Sequence, residues 1–272
     1  MRFVKHVYKH QDDNRFYAVF STSMNGFIGS AICTFSLQSI QEAFNGKFKT
    51  QDTWKSLWLP VFSSQVPEPR PGVCVNDSQS LSDSVLNFIR GHPLMDSAVA
   101  HDNGKPVFYK RDVVFTRLVV DRLEVNGVKY FVYYAGTNTG LVYKLIEWFD
   151  QSNEMHSYLA DIFDAFPSEP IRAIEISPKY KSLYVSSDNQ IRQFDLSMCE
   201  QRYESCVRCV RDPYCGWDKY ENKCKPYSTG YVYTFCYGSF IYPNYSSFYY
   251  RLLQDANNSA PGLCSDYIKH EE

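Results

Sequence analysis

Five cysteines fall within 26 residues (Cys199, Cys206, Cys209, Cys215 and Cys224), and Cys264 follows; the first 198 residues hold only Cys33 and Cys74. Such density means a disulfide framework or a zinc site, and it marks a small module unlike what precedes it. A zinc ribbon pairs two short Cys-x-x-Cys knuckles across a longer loop. Here Cys206-x-x-Cys209 has no second knuckle, because eight residues separate Cys215 from Cys224, and no histidine lies between Cys199 and Cys264. The disulfide reading is favoured over zinc. Sequons at Asn76, Asn244 and Asn257 add weight to an oxidising, extracellular setting.

The chain has 272 residues and a net charge of −2, with an isoelectric point near 6.3 and no run of basic residues. Nucleic acid and anionic membranes are therefore poor partners. No apolar stretch reaches the roughly 18 residues that a membrane span needs. The first ten residues lack the apolar core of a signal peptide. Extracellular chemistry without an export signal implies that further sequence precedes Met1. Aromatic residues make up 17% of the chain, which suits a β-rich fold or an interaction surface.

Up to Cys199 the pattern is mostly strands. Residues 16–20 and 29–37 read as partners across an Asn25-Gly26 turn. Residues 115–123 alternate, turn at Asn126-Gly127, continue through 129–134, and turn again at 136–140 into 141–145. A similar unit follows, with 171–176, 182–186 and 191–196 separated by Pro178 and Asp188-Asn189 turns. A meander repeating about every 50 residues is the mark of propeller blades, with a sandwich as the alternative. Two stretches interrupt it. Residues 36–44 have helical apolar spacing and stop at Asn45-Gly46. The span 54–111 contains a short helix over 84–90, with Ser82 or Ser84 as N-cap and Gly91 as its end. An insertion of that size is usually functional.

Chemistry is sparse. The six histidines (His6, His10, His92, His101, His156 and His270) show no metal-ligand spacing on a helix, and no nucleophile elbow or phosphate loop is present. Asp161 and Asp164, beside Ile162, Phe163 and Phe166, read as a solvated face and not as an acid/base pair. No cofactor is called for, and the residues give no argument for an enzyme.

Several segments in order support a family resemblance: Gly29-Ser-Ala-Ile-Cys33, Ala43-Phe-Asn-Gly46, Pro67-Glu-Pro-Arg-Pro-Gly-Val-Cys74-Val-Asn-Asp77, Phe88-Ile-Arg-Gly-His-Pro-Leu-Met-Asp96, Ala135-Gly-Thr-Asn138, Arg208-Cys-Val-Arg-Asp-Pro-Tyr-Cys-Gly-Trp217 and Leu252-Leu-Gln-Asp255. Through them the chain resembles the C-terminal part of a semaphorin, most closely the secreted class 2 members of invertebrates. The resemblance implies an all-β fold: a partial β-propeller, the last three blades of a seven-bladed sema domain, followed by a disulfide-rich PSI module. The implied boundaries are 1–198 for blades five to seven, with the extrusion of blade five at about 54–111. The PSI module would occupy 199–264, with an atypical insertion at 231–250 and a tail at 265–272.

The resemblance further implies the pairs Cys199–Cys215, Cys206–Cys264 and Cys209–Cys224, with Cys33 and Cys74 each bonded to a cysteine upstream of Met1. Cys236 lies in the insertion, which is either a variable loop or translated non-coding sequence. The implied function is that of an extracellular, secreted ligand that binds a plexin receptor and acts as a homodimer, with no catalysis. The alternative is a glycosylated adhesion or structural protein without signalling activity. Phe88, Ile89, His92 and Met95 are the interface candidates, although packing of the helix onto blade five is the favoured reading of Phe88 and Ile89. Most of the receptor-contacting edge would lie in blades three and four, upstream of Met1. In the last blade, the strand at 182–186 is expected to leave an unpaired edge.

Overall fold

A computed structural model describes residues 2–11, 13–22, 26–227, 252, 253 and 264. Three antiparallel sheets follow one another along the chain. The first contains β1 (Arg2–Lys9), β2 (Arg15–Thr22), β3 (Gly29–Ser36) and β7 (Phe108–Arg111), in that order. β2 and β3 pair from Arg15↔Ser36 to Ser21↔Ser30, which is the hairpin read from the sequence, although Asn25 lies outside the described residues. The middle sheet runs through β8 (Phe115–Val125), β9 (Val128–Thr137), β10 (Leu141–Phe149) and β11 (Met155–Asp164). The third has β12 (Ala173–Ser177), β13 (Ser182–Ser186) and β14 (Ile191–Asp195). β1 and β12 both pack against β8, so the three sheets fan out from neighbouring first strands, as propeller blades do.

The turns are fixed by residue chemistry. Asn126 and Gly127 both adopt positive φ (53° and 78°), the requirement of a type I′ hairpin turn. Gly140 has φ +90°, and a Cβ there would sit 1.6 Å from the Phe166 carbonyl oxygen, so only glycine fits.

β9 is buried continuously over residues 130–137, unlike a one-faced antiparallel strand. Its alternate side chains serve two cores. Phe131, Tyr133 and Ala135 join Tyr17, Val19 and Ile32 of the first sheet. Tyr130, Val132 and Tyr134 join Ile174, Leu183 and Val185 of the third. The middle sheet is therefore covered on both faces.

Two readings of the sequence are corrected here. Residues 182–186 form β13, the centre of its sheet, paired on both sides; the open outer edge is β14, where Ile191 is 77% exposed. Asp161 is buried, not solvated, while Asp164 is exposed. An irregularity in the β10–β11 pairing between Lys144 and Leu145 shifts the register there. Asp161 lies two residues from the buried Phe163, on the same face of β11, and there meets an ion-pair partner, Arg202.

Between β3 and β7 the chain makes one long excursion. It begins with α1 (Leu37–Asn45), whose N-cap Ser36 accepts a hydrogen bond from the Ser39 amide at 3.0 Å. A small sheet follows, with β4 (Phe48–Thr50) between β5 (Leu59–Pro60) and β6 (Leu94–Met95). α2 (Asp83–Gly91) lies between β5 and β6, with Ser82 at its N-cap and His92 at its C-cap. The excursion thus leaves the first sheet at Ser36 and rejoins it at Phe108, so the two interruptions seen in the sequence form one body. It opens earlier than residue 54 because β4 supplies the central strand of its sheet.

The cysteine-rich module comprises α3 (Cys199–Arg202), α4 (Cys206–Val210), β15 (Cys215–Asp218), β16 (Lys223–Pro226) and β17 (Leu252–Leu253), with β15 central.

Candidate functional site: the docked module and the excursion

The module folds around bonded sulfurs. Cys199 is joined to Cys215, Cys206 to Cys264 and Cys209 to Cys224, with S–S distances of 2.01, 2.07 and 2.01 Å. Cys199, Cys215 and Cys224 bring three sulfurs together, but bonded sulfurs are not thiolates, and the zinc alternative finds no donor set there. Tyr203, Val210 and Trp217 complete the core.

This module is stitched to the middle sheet by buried polar groups. Lys144 on β10 is 1% exposed. Its Nζ donates to Asp212 Oδ2 at 2.5 Å and to the Leu196 carbonyl at 3.2 Å. The Tyr203 hydroxyl donates to the same Asp212 oxygen at 2.7 Å, and the Tyr214 amide donates to Asp212 Oδ1 at 3.0 Å. The Tyr134 hydroxyl donates to the Leu196 carbonyl at 3.0 Å. Around this centre, Arg202 grips Asp161 through Nε (2.5 Å) and Nη2 (2.8 Å). The Tyr214 hydroxyl donates to Asp121, and that of Tyr158 to the Arg211 carbonyl. Burial pushes the phenols of Tyr134, Tyr158, Tyr203 and Tyr214 above their ordinary range, so each stays a neutral donor.

A second buried hub links the excursion to both of the first two sheets. Arg15 on β2 donates to Asp102 (3.1 Å), Thr34 (3.1 Å) and Glu147 on β10 (3.1 Å). Its guanidinium lies 4.7 Å from the Phe131 ring centre and 5.4 Å from that of Tyr17. Tyr133 donates to the other Glu147 oxygen at 2.5 Å. Burial, opposed by Arg15, leaves the Glu147 carboxyl above its ordinary value.

The interface candidates divide. Phe88 is half-buried, packs edge-on against Phe48 at 5.1 Å, and stacks on His92 at 3.9 Å. Met95 is paired with Phe48 across β6 and β4. Phe48 thus draws Phe88, His92 and Met95 into the excursion's own core. Ile89 is 45% exposed. Other apolar side chains of the excursion also face solvent: Trp54 is 82% exposed, and Leu57 and Phe62 are exposed too. Asn76 and Cys74 are both exposed on the excursion, and Cys33 is half-buried on β3. Asn244, Asn257, Cys236, the 231–250 tract and the 265–272 tail lie outside the described residues.

Sequence reasoning missed Lys144, Glu147 and Arg15. The signal for the first two was a pair of charges inside the otherwise apolar run of β10. At the β10–β11 hairpin, Asp150, Glu154 and His156 come together. His156 lies 2.9 Å from Asp150 and, as its hydrogen-bond partner, is the main cause of that carboxyl's lowered proton affinity. The Asp150 carboxylate also accepts from the amides of Ser152 and Glu154, a self-contained turn. No helix among the described residues is long and apolar enough to cross a membrane.

Comparison with known proteins agrees with this geometry. The Sema domain model matches residues 2–178, and the plexin repeat (PSI) model matches residues 198–236. The chain is 53% identical over 269 residues to Semaphorin-2A of Schistocerca gregaria, covering 97% of this chain and 36% of that protein. The solved structure of Drosophila Semaphorin 2a superimposes with a TM-score of 0.83 at 49% identity, over 96% of this chain and 39% of that one. A chain in the structure of Drosophila Plexin A in complex with Semaphorin 1b matches with a TM-score of 0.76 at 32% identity, over 93% of this chain and 50% of that one. The chain spans about a third of the length of the curated relative it matches.

Proposed function

Because the chain belongs to the Sema domain family, we propose that it forms part of a secreted semaphorin-type guidance ligand, which binds a plexin receptor as a homodimer and carries out no catalysis. The observation that carries this reading is identity above one half to a semaphorin along nearly the whole chain, excursion included. A module held by three disulfides suits an extracellular site of action. The exposed Trp54, Leu57, Phe62 and Ile89 give the excursion the apolar surface of a contact region. In this reading residues 1–198 are blades five to seven and residues 199–264 are the PSI module. Cys33 and Cys74 are bonded to cysteines of the preceding blades, and Asn76, Asn244 and Asn257 carry glycans. Among the four candidate positions the exposed Ile89 is the contact, and the half-buried Phe88, His92 and Met95 belong to the excursion's own packing.

The test is a chimera: Semaphorin-2A of Schistocerca gregaria with its matched stretch replaced by this chain, titrated against an immobilised Plexin A ectodomain. The expected result is binding close to that of the unaltered relative, and much weaker binding by the 272-residue chain alone. A chimera that elutes as a folded dimer yet does not bind the receptor would overturn the proposal.

A further inference from the structure

One end of the middle sheet gathers three metal-ligating groups on a single face. The β10–β11 ladder is paired as far as Phe149↔Met155, and the Asp150 amide continues it by donating to the Glu154 carbonyl at 3.1 Å. Side chains two apart along a strand share a face. Trp148 and Asp150 therefore stand opposite His156 and Glu154, all on one face of the hairpin. One carboxylate oxygen each from Asp150 and Glu154 and one ring nitrogen of His156 lie within 4.8 Å of one another.

Two of the three groups are held in place. Asp150 Oδ1 accepts from the Ser152 and Glu154 amides at 2.8 and 2.9 Å, which leaves Oδ2 turned to His156 Nε2 at 2.9 Å. The His156 ring stacks on Trp148, with centres 5.3 Å apart and planes at 20°, and Trp148 packs in turn on Tyr158. The charge is left unbalanced. No lysine or arginine among the described residues pairs with either carboxylate, and His156 is the one ion-pair partner, on Asp150 alone. Like charges directly opposite each other across a hairpin repel, and a cation between them removes the cost. The imidazole selects that cation. Calcium and magnesium take oxygen ligands, whereas an imidazole suits zinc and its neighbours. Zinc bonds nitrogen and oxygen at roughly 2.0–2.2 Å, so the Asp150 and His156 atoms need only part slightly while the exposed Glu154 side chain rotates in. Nε2 gives up its proton to water, or to Nδ1 within the neutral ring, and its lone pair goes to the metal.

We propose that the β10–β11 hairpin is a zinc site, with His156 Nε2, Asp150 Oδ2 and the Glu154 carboxylate as ligands and a fourth position open to water. The proposal does not rest on the receptor reading above.

The test uses the whole oxidised chain carrying carbon-13-labelled histidine, titrated with zinc chloride and followed by NMR. His156→Asn identifies the His156 ring signal among those of His6, His10, His92, His101 and His270. That signal should shift saturably with zinc before the others do, and should not move with calcium at the same concentration. Zinc captured elsewhere on the chain leaves the His156 signal in place. Glu154→Gln, an exposed change that keeps the side-chain length, should weaken zinc binding at His156 at least about tenfold without moving the thermal midpoint, since even groups that only orient a metal ligand are worth roughly 10–100-fold. A His156 signal unmoved by millimolar zinc, an equal response to calcium, or unchanged affinity in Glu154→Gln would each overturn the proposal.

Discussion

In the middle sheet, β9 is buried without a break over residues 130–137, its side chains are shared between two cores, and no cysteine is present. In the cysteine-rich module the core is six bonded cysteines with Tyr203, Val210 and Trp217. The sheet, with neighbours on both faces, has enough apolar area to order its backbone; the module is too small to do so, and cross-links limit the entropy of its unfolded state instead. The module is not independent of the sheet, however. Its Asp212 is held by a lysine from β10. A lysine in an apolar strand has no place in a free blade, so the middle sheet is built to carry the module.

The comparison breaks most sharply at Lys144. Lys144→Met retains the apolar stem and leaves Asp212 buried without its cation, which should cost about 3–5 kcal/mol in urea unfolding. Adding Asp212→Asn should recover part of that loss; a Lys144→Met chain of unchanged stability would show that the ion pair does not hold the module in place. Next in size is the disulfide effect. Cys209→Ser with Cys224→Ser opens a bridge of sequence separation 15 and should cost the module about 3 kcal/mol. Limited proteolysis should then cut within the module and spare β8 to β11.

A smaller effect distinguishes the regions by pH. Burial raises the Glu147 carboxyl above its ordinary 4.5, against the pull of Arg15. A folded value above the unfolded one means that this group's contribution is full below about pH 4.5 and is lost as pH rises through the folded value. Just above pH 4.5, stability should therefore fall faster in the native chain than in Glu147→Gln, where nothing titrates at that position. A carbon-13 titration that placed Glu147 below 4.5 would reverse the sign. The smallest effect is on the third sheet, where Arg172 and Asp188 form an exposed pair at 2.9 Å. Arg172→Ala should leave the thermal midpoint unchanged within error, because solvent screens such pairs.

What the sequence showed follows the range of the interactions. The hairpins were legible because period-two patterning and Asn-Gly or Gly turns act over a few residues, as at Asn126-Gly127. α1 and α2 were legible from apolar spacing and serine caps. The sheet of β4, β5 and β6 was not, since strands of two or three residues show no period. Asp161 was misread because its ion-pair partner, Arg202, lies 41 residues further along the chain, in the cysteine-rich module. Lys144 and Asp212 are 68 residues apart, and neither position names the other. The odd charge in β10 was visible in the sequence; its partner needed the fold.

Hydrogen–deuterium exchange before and after reduction of the disulfides tests the contrast most directly. In the oxidised chain, amides of β15 and β16 should be protected alongside those of β9 and β10. After reduction, protection should vanish from β15 and β16 and persist in β9 and β10. Loss of protection in both regions together would contradict the account, since the middle sheet would then depend on the cross-links too.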